Sequence, residues 1–96
     1  MDTVIVGRKG SDSHYVGRPT PLGNPFYMRD ESMRDAVCDN YAQWFEEKLR
    51  RKDPAVMRQL GILRKALERD GKITLGCYCA PRRCHADTIA TYLMKC

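Results

Sequence analysis

The chain has 96 residues, 43% of them hydrophobic, with 17 Lys and Arg against 12 Asp and Glu for a formal charge of +5. That length suits one domain, residues 1–96, with a small core. No apolar run approaches the roughly 20 residues that span a bilayer, and Met1–Val6 lacks the basic flank and long apolar stretch of a signal peptide, so a cytoplasmic protein without a membrane partner is expected.

Thr3-Val4-Ile5-Val6 is a β-branched run, and Arg8–Ser13 after it reads as a turn. His14–Gly17 is a second strand, expected to form a hairpin with the first. Pro19, Pro21, Gly23, Asn24 and Pro25 then forbid regular structure. Ser32 and Asp35 approximate a capping box, and Val37, Tyr41, Trp44, Phe45 and Leu49 follow a helical period up to Arg51-Lys52. Asp53-Pro54 restarts a helix, since Asp caps well and Pro suits the first helical position. Val56, Leu60, Leu63 and Leu67 form its apolar seam, and Asp70-Gly71 ends it. Lys72–Cys77 is the third strand, and Ala86, Ile89, Ala90 and Leu93 mark the inward stripe of a last helix. The order β-β-α-α-β-α predicts an α/β fold: a small three-stranded sheet covered by helices, Rossmann-like in character.

Three of the five cysteines and one of the two histidines fall between Gly76 and Asp87, at a strand-to-helix junction. Five is an odd count, and cytoplasmic thiols stay reduced, so a disulfide framework is not expected. Cys38 lies in a helix pattern and reads as a small buried side chain.

Three readings of the Cys77–Asp87 loop compete. The favoured one is an anion-binding or catalytic loop. The start of the last helix and the guanidinium groups of Arg82 and Arg83 would hold a negative group. The same field would lower the pKa of Cys84 and make it a nucleophile, with His85 as acid or base and Asp87 orienting it or capping the helix. Cys77 to Arg83 also matches the C-x5-R spacing of phosphatase loops, without their glycines. The second reading is zinc held by Cys77, Cys79, Cys84 and His85, in a module that binds nucleic acid or a host protein. Four soft or borderline ligands suffice for a tetrahedral site, although C-x-C is not the usual C-x2-C knuckle. The third is buried thiols that only fill space.

The upstream segment Tyr15–Phe26 is the other unusual stretch. Gly17 and Gly23 permit close backbone approach, Arg18 offers a fork for phosphate, and Asn24 either reads a polar ligand edge or folds the turn. Phe26 reads as a core plug. With Arg18, Asn24, Arg82 and Arg83 as binding residues, the expected ligand is a nucleotide or another phosphorylated anion.

These pieces together, Tyr15-Val16-Gly17-Arg18, Pro21–Phe26, the Tyr41/Trp44 helix and Leu75–Pro81 with Cys84-His85-Ala86-Asp87, resemble the phage and bacterial family known as domain of unknown function 4326. Relatives more often carry Trp at Tyr78 and Gly at Ala86. The resemblance implies a compact α/β domain, motifs that meet in space and, if phage-encoded, a host cytoplasm. It implies no particular reaction.

Overall fold

Strand β1 spans Thr3–Arg8, where Val4 turns inward and Ile5 outward by the two-residue period of a strand. The computed structural model describes residues 3–8, 10, 13–26, 28–77 and 83–95. Strand β2 is only His14–Tyr15, and β3 spans Lys72–Cys77. The expected α/β sheet is present, with strand order β1-β3-β2 and both pairings parallel. Val4 aligns with Ile73 and Val6 with Leu75 on one side, and Tyr15 aligns with Gly76 on the other.

The expected β1–β2 hairpin does not form, because β3 lies between the two strands. A hairpin would place β3 at an edge. The central position buries Ile73, Leu75, Gly76 and Cys77, the run most apolar on both faces, and fills its ladder from both sides.

A 3-10 turn, Glu31–Met33, opens the first helix, α1, which spans Arg34–Arg51. Its cap differs from the expected box. Asp30 accepts the Ser32 amide at 2.9 Å, while the Asp35 carboxylate is drawn off by Arg83. Helix α1 ends at Lys52 in the left-handed conformation, φ 55°. Asp53 then caps α2, Pro54–Asp70, by accepting the Val56 amide at 3.1 Å, and Gly71 closes it at φ 72°.

The α2 seam of Val56, Leu60, Leu63 and Leu67 is fully buried and packs on β3. Helix α3, Ala86–Met94, buries Ala86, Ile89, Ala90 and Leu93 against β1 and β3. Helix α1 contributes Val37, Cys38, Tyr41 and Phe45 and packs on both other helices. Among the described residues no helix is long and apolar enough to cross a membrane. This arrangement leaves the carboxyl ends of β2 and β3 facing the start of α3 and the first turn of α1. In open α/β sheets that is where ligands bind.

Candidate metal centre and ligand pocket

Cys77 is the last residue of β3, and its side chain follows Ile73 and Leu75 onto the core face by strand alternation. Cys84 and His85 immediately precede α3, with His85 in the N-cap position. The parallel sheet brings these three residues together although seven positions separate the first two. Their donor atoms lie within 4.8 Å of one another, and their residues are only 2%, 3% and 6% exposed respectively. Donors around a tetrahedral zinc stand about 3.5–3.8 Å apart, given Zn–S near 2.3 Å and Zn–N near 2.0 Å. A contraction of about 1 Å closes the cluster around an ion. The Cys77, Cys84 and His85 group could therefore hold a metal.

His85 is oriented for that task. Its Nε2 lies 2.8 Å from the Val16 carbonyl oxygen, an atom that can only accept, so Nε2 is the donor of this bond and Nδ1 is the nitrogen left for a metal. Metal-binding histidines are commonly fixed in this way by a backbone carbonyl. The Tyr41 ring meets the imidazole edge-on at a centroid distance of 5.0 Å. Val16 also donates its amide to the Gly76 carbonyl at 3.2 Å. Sheet, loop and imidazole thus share one backbone unit.

Asp87 does not orient His85. Its carboxylate accepts the Cys84 amide at 3.2 Å and caps α3, the second of the two roles expected for it. The expected lowering of the Cys84 pKa is reversed. A hydrogen bond with the Cys77 thiol, and then burial, hold the Cys84 thiol well above the ordinary thiol range. The Ala86 backbone acts in the lowering direction that the helix start predicts, and is outweighed. The thiol hydrogen bond and burial both act against thiolate formation at the buried Cys84 of the metal-free protein.

A pocket of about 400 Å³ opens above this cluster and includes Cys77, Cys84 and His85 in its lining. Arg18 and Asn24 line it as well, so the upstream loop and the cysteine loop converge as expected. Asn24 also folds its turn, with Oδ1 accepting the Phe26 amide at 2.9 Å. Phe26 is half-buried against the core and forms part of the pocket wall. Tyr15 donates its hydroxyl to the Arg18 carbonyl at 2.7 Å, and the buried Tyr41 hydroxyl donates to the Leu22 carbonyl at 2.8 Å. Both ends of the 16–24 loop are therefore tied down. The Arg18–Pro19 peptide is cis.

Arg83 does not line this pocket. Its guanidinium spans Asp35 at 3.0 Å and Asp39 at 2.8 Å on the outer face of α1, and these hydrogen bonds, Asp39 first, raise its pKa further. Arg83 therefore does not bring the arginine of a C-x5-R phosphatase loop to this pocket. Cys79 and Arg82 lie outside the described residues.

Sequence reasoning passed over Arg34, which lines the pocket together with Val37 and Cys38. One signal was present: a cation on the first turn of a helix opposes the helix dipole and needs a reason to be there. Cys38, four residues on, shares that helical face. It is buried as expected, but against the pocket.

The family described as Domain of unknown function (DUF4326) matches residues 4–95. The chain belongs to that family. No curated protein and no solved structure matches it.

Proposed function

We propose that this family member is a zinc-centred binding protein for a small phosphorylated, nucleotide-like ligand. The observation that carries the reading is the convergence, on one pocket at the carboxyl ends of β2 and β3, of a Cys-Cys-His cluster with the arginine-bearing loop. Cys77, Cys84 and His85 Nδ1 hold the ion. Two thiolates and an imidazole favour zinc among common divalent metals. When bound, a zinc ion with an open position supplies Lewis acidity to whatever occupies that position.

Because two thiolates balance the charge of Zn²⁺, such a centre is formally neutral. Attraction for an anion then comes from the arginines. Among the described residues the pocket lining contains no Asp or Glu. Tyr15, Phe26 and Met28 supply apolar and aromatic wall suited to a planar ring. The reading assigns the thiols to metal binding and gives Cys84 no nucleophilic role. Asp87, occupied in capping, takes no part in the chemistry.

A second reading rests on the spacing of the cysteines. If Cys79 supplies a fourth ligand, the centre is closed and structural, and the protein is a zinc-stabilised module for nucleic acid or a host protein. Elemental analysis of protein purified without added metal separates these readings. Stoichiometric zinc is expected in wild type and in Cys79→Ser, and its loss in Cys84→Ser and His85→Ala. Loss in Cys79→Ser would favour the closed module. Wild type that neither carries nor takes up stoichiometric zinc would overturn both.

A further inference from the structure

We propose that Arg34 is a ligand-recognition residue of this pocket, partnering Arg18 in gripping the phosphate of a nucleoside monophosphate; this rests on the pocket reading above and names a residue and a ligand class for it. Arg34 is the first residue of α1, and its side chain is only 13% exposed. Hydrogen bonds to Glu31 and to the Arg83 backbone help set the plane of its guanidinium. Nε and Nη2 donate to the two Glu31 carboxylate oxygens at 2.8 and 2.7 Å, and Nη1 donates to the Arg83 carbonyl at 2.7 Å.

That last bond fixes where the cation sits relative to the metal cluster. Arg83 directly precedes Cys84, so Arg34 is tied to the backbone next to a cluster thiol. A group placed between the arginines and the cluster therefore meets a constant separation of charge and metal. Glu31 offsets part of the charge of this guanidinium and holds it in place; the carboxylate side chain is 55% exposed, while Arg34, 13% exposed, belongs to the pocket lining. Holding a fork in place beforehand removes the ordering cost that a mobile arginine would add to binding. A single phosphate suits this set, because an arginine held in place by a carboxylate and a second arginine nearby make a site of the size of one phosphate group.

Arg34 also staples the start of α1 to the start of α3, and a staple alone would predict a different outcome. The test titrates AMP and adenosine by calorimetry into zinc-loaded wild type, Arg34→Gln and Arg34→Lys, with zinc content and Tm measured on each. Recognition predicts AMP affinity lower by about 10- to 100-fold in Arg34→Gln, with adenosine affinity and zinc unchanged. Arg34→Lys should recover part of the loss, since it keeps the charge and not the fork. If AMP and adenosine weaken together, or zinc is lost with them, Arg34 is only the staple and the inference falls. If Arg34→Gln keeps the wild-type preference for AMP, it falls as well. Wild type that binds zinc but not AMP overturns the ligand reading and this inference with it, leaving the metal centre standing.

Discussion

Replacing Tyr41 by Phe tests the joint on which the site is built. The ring is fully buried and stacks among Trp44, Phe45 and His85 at centroid distances of 5.3, 5.9 and 5.0 Å. Phe keeps those contacts and removes only the hydroxyl, which donates to the carbonyl of the equally buried Leu22. The loss leaves that carbonyl without its donor, at a cost of about 1–3 kcal/mol. For a domain of this size each kcal/mol moves Tm by about 4–8 °C, so a fall of at least about 4 °C is expected. Urea unfolding followed by circular dichroism should show a lower midpoint at unchanged slope. Alkaline pH gives a second signature. Burial, reinforced by Cys84, holds the Tyr41 phenol above its ordinary value of 10.0, so the unfolded chain ionises first. The contribution of this group to stability is complete below pH about 10 and declines above it. Since Phe has no such group, the gap between wild type and Tyr41→Phe should narrow above pH 10. A stability change below about 0.5 kcal/mol, or a gap constant with pH, would refute the view that this bond is desolvated and anchors the loop.

Gly23→Ala should displace the Arg18 loop. A Cβ there would sit 2.9 Å from the Arg18 backbone N and Cα, and because backbone cannot swing aside as a side chain does, AMP affinity and Tm should both fall. Lys52→Gly should raise stability by about 0.5–1 kcal/mol in urea unfolding. The gain comes from relieving a left-handed lysine at φ 55°, less the added freedom of glycine in the unfolded chain, and a destabilised variant would contradict it.

The helices were legible because each carries its signals within a few residues. The Asp53-Pro54 start, the Val56–Leu67 seam and the Asp70-Gly71 stop all stand in α2 as the sequence spells them. Strand order was not legible. Nothing local to Thr3–Val6 or His14–Gly17 says that a segment some 60 residues on will part them, and two strands joined by a short turn look like a hairpin. The destination of Arg83 was hidden for the same reason. Its partners Asp35 and Asp39 are 48 and 44 residues away, and only the packing of α1 beside α3 makes them neighbours. Composition correctly gathered Cys77, Cys84 and His85, but the field argument about Cys84 failed on magnitude. It weighed the helix start and could not see the second thiol or the burial, which together dominate.

In the proposed reading, the position of His85 would make metal and ligand act as one system. Its Nε2–H holds the carbonyl of Val16, and Arg18 lies two residues further along the same tightly tied loop. An ion on Nδ1 would lock the tautomer that makes the Val16 bond. Whatever strengthens one contact strengthens the other, and by linkage the effect must run in both directions. If the proposed centre forms, zinc should therefore sharpen the grip of the arginines without adding charge to the pocket, since Cys77 and Cys84 would neutralise the ion. In that reading the soft ligands would set the geometry, and the arginines would supply the attraction.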